Sequence, residues 1–168
     1  GHALADLATR LSSSRGRLLG IDLSEKMCEM AEQRLRDLKL NLHCERRAPS
    51  GAEELSGSTV TNSAIEAFLW CGDATNLSEI PSHSVDAVCM TFVLELFDNP
   101  EIPLVLAECA RVVKPREQGG RVVVVSMSKH RAGVLTSIYE WFHERFPSLV
   151  DCRPIYLRET LTASGLLV

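Results

Sequence analysis

The chain has 168 residues, 45% hydrophobic and 24% charged, with a net charge of −4. That length suits one domain rather than two, and the composition is that of a soluble globular protein, not a disordered, collagen-like or low-complexity one. The weakly acidic balance offers no basic face for nucleic acid, and no apolar run approaches the roughly 20 residues of a transmembrane segment.

Taken in chain order, Leu4, Leu7, Ala8 and Leu11 recur at helical spacing and predict a helix over 3–11. A turn at 12–16 leads into a short apolar run ending in an acid, RLLGID at 17–22, read as a strand. Ser24 is placed to cap a helix over 25–38, with Glu25 in its first turn and an apolar stripe of Met27, Met30, Ala31, Leu35 and Leu38. Residues 43–63 are rich in Ser, Gly, Glu and Arg and read as a surface-loop insertion. AFLWC at 67–71 is the next strand, followed by Gly72 and Asp73, and a turn at 81–84 precedes VDAVCMTFV at 85–93. That last run is nearly all apolar, as for a strand covered on both faces. Asn99 is expected to cap a helix with Pro100 at its first position and Ile102, Val105, Leu106, Cys109 and Val113 as its buried stripe, ended by Pro115. A Gly119-Gly120 turn leads into a buried strand, RVVVVSM at 121–127. Val134, Leu135, Ile138, Trp141, Phe142 and Phe146 form another amphipathic helix, and 156–163 a short one stopped by Gly165.

Helices alternating with buried strands imply an α/β fold, a Rossmann-like parallel sheet with helices on both faces. The six cysteines, Cys28, Cys44, Cys71, Cys89, Cys109 and Cys152, show no CxxC pair and mostly sit in apolar patterns. Free, buried thiols are expected, in a reducing compartment such as the cytoplasm or an organelle interior, with no metal site.

In such sheets ligands lie outside the carboxyl ends of the strands. Asp22 closes the first strand, about 20 residues after Gly1, the interval at which an acid meets a ribose in nucleotide-binding α/β folds. It serves either a ribose or only the following helix. Asp73, after the next strand, accepts from an exocyclic amine such as that of adenine, or is an ordinary turn residue. Glu95, in an otherwise apolar stretch, is a substrate-facing acid or base with a raised pKa, or a solvated loop acid. His83, His130 and His143 are given no catalytic role. The aromatic set Tyr139, Trp141, Phe142 and Phe146 is core, or else a lid over an apolar substrate.

Three segments in order, GIDLSEKMCEMAEQRL, WCGDATNLSEIPSHSVDAVCMTFVLELFDNP and ECARVVKP…GGRVVVV, resemble class I S-adenosylmethionine-dependent methyltransferases. The late segment WFHERFPSLVDCRPIYLRETLTASG is similar to the ubiquinone/menaquinone-biosynthesis type. The resemblance implies S-adenosylmethionine as cofactor and methyl transfer to a small-molecule acceptor, a polyprenylated quinone-precursor ring in that subtype. By position, Asp22 with Leu23 would hold the ribose. Gly72, Asp73 and Ala74 would meet the adenine, Thr91 and Phe92 the methionine end, and Gly1 would be the remnant of a glycine-rich loop. Glu95, where relatives often carry a His, would be the candidate catalytic base.

The sequence departs from this pattern in KPREQGG, which is longer than the usual KPGG turn, and in the 43–63 loop. The family's first strand and its closing strands are not seen, so a single, incomplete methyltransferase domain is expected over 1–168, part of a longer or processed chain. Omitting a central strand leaves a gap of roughly 9–10 Å, twice the strand spacing, and poor cofactor binding by these residues alone is the expectation. Two other classes stay open: a nicotinamide-dependent oxidoreductase, since Asp22 would serve its ribose equally, and a non-catalytic methyltransferase-like binding module.

Overall fold

A computed structural model describes residues 2–12, 16–49, 65–126 and 155–166. The chain divides into two compact units, Gly1–Val85 and Asp86–Val168.

The first unit begins with helix α1, His2–Leu11, and strand β1, Gly16–Asp22. Helix α2, Glu25–Asp37, follows, then strands β2, Leu42–Glu45, and β3, Ile65–Cys71. The three strands are parallel, in the order β1-β3-β2. Strand alternation sends Ile65, Ala67 and Leu69 to the helix-covered face, where they meet Leu18, Ala8, Ala31 and Leu35 in one core. Burial of each such aliphatic side chain contributes about 1.5–3 kcal/mol. The opposite face of β3 is also closed: Glu66 and Phe68 are 8% and 5% exposed. There Arg17 Nε donates to Glu66 Oε2 at 2.5 Å, across a directly paired position of β1 and β3, and the Arg47 guanidinium lies 5.2 Å over the Phe68 ring. An ion pair at a paired position fixes register, because a slip of one residue would send Arg17 into the aliphatic face.

The α1, β1, α2 and β3 predictions hold to within two residues. In α2, however, the buried positions are Cys28, Ala31 and Leu35, with Met27 and Met30 each 39% exposed. The stripe therefore centres one residue further round than the methionines suggest. The expected 43–63 loop is corrected at its start: 42–45 is an edge strand, its half-buried Leu42 and Cys44 packing on the core while the face carrying His43 stays wet. Residues 46–49 continue without regular structure, and 50–63 of that stretch lie outside the described residues.

The second unit has strand β4, Ala87–Thr91, helix α3, Ile102–Val112, and strand β5, Arg121–Val125, parallel to β4. All five residues expected to form the α3 stripe are buried. The helix starts later than expected. Asn99 and Pro100 lie in the turn before it, and Asp98 and Glu101 close the end: Asp98 N–H donates to Glu101 Oε2 at 3.0 Å, while Asp98 O accepts from Glu101 N and Ile102 N at 2.8 and 3.2 Å. This reciprocal use of an acid satisfies donors the helix leaves orphaned. Neither strand is covered on both faces as expected. Ala87, Cys89, Thr91, Val123 and Val125 are exposed along one side, and only Met90 is fully buried on the other. The strands also end earlier than predicted, at Thr91 and Val125. A last helix α4, Leu157–Ala163, ends before Gly165, whose φ of 76° supplies the expected stop. The amphipathic helix expected at 134–146 lies outside the described residues. Among those described, no helix is long and apolar enough to cross a membrane.

Candidate cofactor site

The carboxyl ends of β1 and β3 stand side by side. Asp22 is the register partner of Cys71, and Gly72 N–H donates to Asp22 O at 3.1 Å, extending the ladder one step beyond the strands. Asp22 and Asp73 therefore occupy neighbouring tips on one edge of the first unit's sheet.

Both carboxylates are oriented by their own turns. Asp22 Oδ1 accepts from Ser24 N at 2.9 Å, and Asp73 Oδ1 accepts from Thr75 N at 2.8 Å. Asp22 is not the helix cap, because Ser24 is: its hydroxyl accepts from Met27 N at 3.4 Å. In each acid one oxygen is held by backbone, while Oδ2 accepts no hydrogen bond among the described residues. Leu23, beside Asp22, is 76% exposed, and Ala74 is half-buried.

Gly72 has a steric reason to be glycine. Its φ is ordinary, but a Cβ there would stand 2.6 Å from Trp70 Cε2. Residues 70 and 72 share a face, so the indole lies over the glycine. An open hollow of about 480 Å3 sits beside these tips, lined by Cys28, Leu69, Trp70 and Cys71 and rimmed by the ion-paired Glu25 and Arg46. That volume is within the range of small-molecule sites. Trp70 and the two cysteines were not picked out by sequence reasoning; a tryptophan two residues before a strand-end glycine was the available signal. Burial, with the neighbouring Cys71 and Asp22 adding to it, pushes the Cys28 thiol up from its ordinary pKa.

The other predicted residues lie in the second unit. Thr91 is exposed at the end of β4. Phe92 follows it with φ of 53°, half-exposed, its N–H donating to Val125 O at 2.8 Å. A bulky residue in the left-handed region costs about 1–2 kcal/mol and marks a constrained position. Glu95 is 1% exposed in a 3-10 turn, Leu94–Leu96, which corrects the reading of it as a solvated loop acid. Gly1 lies outside the described residues.

A family profile described as a methyltransferase domain matches residues 1–124, running through both units. The chain belongs to the methyltransferase-domain family. The methyltransferase domain's class I fold is matched by an O-methyltransferase family protein from Burkholderia thailandensis at 15% identity and a TM-score of 0.53, covering 99% of this chain and 51% of that one. The pyocyanin biosynthetic protein PhzM is similar at 15% identity and a TM-score of 0.48, covering 97% of this chain and 47% of that one. The chain thus spans about half the length of each. No curated protein matches it.

Membership implies S-adenosylmethionine as the cofactor, and the donor set here fits it. An adenosine presents hydrogen-bond donors, its ribose hydroxyls and its exocyclic amine, and two acceptor oxygens project from adjacent sheet tips with an exposed leucine beside one of them.

Proposed function

We propose that the chain is part of an enzyme that transfers the methyl group of S-adenosylmethionine to a small-molecule acceptor, the acceptor being a polyprenylated quinone-precursor ring. The observation that carries the cofactor half is the pairing of Asp22 and Asp73 on neighbouring tips, each with one oxygen fixed and one presented. The quinone-precursor reading rests on the resemblance of residues 141–165 alone.

Asp22 Oδ2 accepts from the ribose and Asp73 Oδ2 from the adenine amine, and Leu23 offers apolar contact to the purine. Gly72 lets the backbone approach where any side chain would strike Trp70. When bound, the cofactor supplies a methyl on a sulfonium, already activated for in-line displacement. The protein's task is then positioning, which accounts for up to about 7–11 kcal/mol of such a barrier. By the family resemblance, Thr91 and Phe92 serve the methionine end of the cofactor. Glu95 takes a proton from the acceptor where that acceptor must lose one, and its burial requires the turn at 94–96 to open first.

Calorimetry with S-adenosylhomocysteine and NADH tests this reading. S-adenosylhomocysteine should bind, weakly in these residues alone, and NADH should not bind at all. Asp22→Asn should weaken binding about tenfold or more, since a hydrogen bond to a charged group contributes about 1.5–3 kcal/mol. Binding of NADH with no binding of S-adenosylhomocysteine would overturn the methyltransferase reading, and an undiminished Asp22→Asn would overturn the ribose assignment.

A further inference from the structure

Two thiols reach the same backbone step at the sheet edge. Cys71 Sγ donates to Leu23 O at 3.4 Å, and Cys28 Sγ lies 3.9 Å from Asp22 O. One comes from the last residue of β3 and the other from the first turn of α2, so two successive carbonyls, those of Asp22 and Leu23, are each held by a thiol from a flanking element. Both sulfurs line the same open hollow. Their surroundings differ: Cys71 is exposed, whereas Cys28 is 2% exposed.

An exposed thiol beside a sheltered one is the arrangement of an oxidisable residue with a resolving partner. We propose that Cys71 and Cys28 form a peroxide-reactive thiol pair that closes to a disulfide across the end of β1. In the first step the Cys71 thiolate attacks a hydroperoxide. The O–O bond breaks, an S–O bond forms, and Cys71 becomes a sulfenic acid as the peroxide leaves as an alcohol or water. In the second step Cys28 sulfur attacks the Cys71 sulfur and expels the hydroxyl as water. The two sulfurs together give up two electrons, and the peroxide takes both.

Closure removes both S–H donors from the Asp22 and Leu23 carbonyls and pulls α2 toward β3 beside the ribose acid. Oxidation should therefore weaken S-adenosylhomocysteine binding, by about tenfold for two lost weak hydrogen bonds. This consequence rests on the cofactor reading above, but the disulfide itself does not.

The test treats the whole chain with hydrogen peroxide, digests it without reduction and maps linked peptides by mass. The expected product is a peptide carrying Cys28 joined to one carrying Cys71, lighter by two hydrogens and separated again by dithiothreitol. Cys28→Ser should leave a sulfenic acid on Cys71 that dimedone traps, and Cys71→Ser should leave Cys28 unoxidised. A Cys71 that stays reduced, a linkage to another cysteine, or a Cys28→Ser chain that shows no dimedone adduct would each overturn the pair. If the disulfide forms but S-adenosylhomocysteine binds neither form, the pair stands and the cofactor reading fails.

Discussion

Replacing Gly72 with alanine isolates the packing behind the edge that carries Asp22 and Asp73. The added Cβ would stand 2.6, 2.8 and 2.9 Å from Trp70 Cε2, Cζ2 and Cδ2. Relief to an ordinary 3.4 Å contact requires the near edge of the indole to retreat by about 0.8 Å. An aromatic ring cannot fold away as a leucine methyl can, so either its χ angles or the 70–72 backbone must give. Overpacking of this kind costs about 1–3 kcal/mol. At Gly20, by contrast, the atoms nearest to a Cβ are the flexible Cδ atoms of Leu69 and Leu4, and the same change should cost less. The assay is urea denaturation of the wild-type, Gly72→Ala, Trp70→Leu and double-mutant chains, with S-adenosylhomocysteine calorimetry on each. Gly72→Ala should lose stability and affinity together. The double mutant should be more stable than the sum of the singles predicts by about 1 kcal/mol or more, as for residues in direct contact. Additive stabilities, or a Gly72→Ala chain as stable as wild type, would refute the steric account.

Three further outcomes are expected. Glu66→Leu strands Arg17 against the closed face of β3 and should cost about 3–5 kcal/mol, whereas adding Arg17→Met should recover most of that loss, read by denaturant midpoints. Gly120→Ala would place a Cβ on the Lys114 backbone carbonyl, which cannot yield, so the turn before β5 must open, at a cost of about 2–3 kcal/mol in the same assay. Burial pushes the Cys109 thiol from 9.0 up to about 11, with Glu108 adding to the rise. Below pH 9 the thiol is protonated in folded and unfolded chains alike and contributes no pH dependence. Above it the unfolded chain ionises first, so stability should fall between pH 9 and 11 by up to about 3 kcal/mol and then level off. Cys109→Ala should flatten that part of the pH profile.

The sites legible in the sequence were those fixed by local chemistry. Ser24 as a cap, the acid at the end of RLLGID and the GDA turn after the apolar run AFLWC depend only on near neighbours, and Asp22 and Asp73 lie at neighbouring strand ends. What escaped depends on partners distant in the chain. β2 is short and set in polar composition, and its existence rests on the neighbouring edge of β3. The outward side of β5 carries Val123 and Val125, which an apolar run alone cannot distinguish from buried valines. Glu95 looked solvated because loops usually are, yet its turn directs it inward. The helix start moved from Asn99 to Glu101 because Asp98 and Glu101 satisfy each other's backbone groups, a pairing that propensity at a single position does not register.

The strand order β1-β3-β2 has a temporal meaning. The middle ribbon is the last of the three to emerge during synthesis, and the two made before it have no shared ladder of their own. Among the described residues, β1 and β2 gain a ladder only when residues 65–71 slot between them, and the same step brings Asp73 beside the tip that carries Asp22. The two acidic tips at 22 and 73 therefore come side by side in a single late docking event, and a nascent chain stalled short of that strand would carry one of them on an unformed surface.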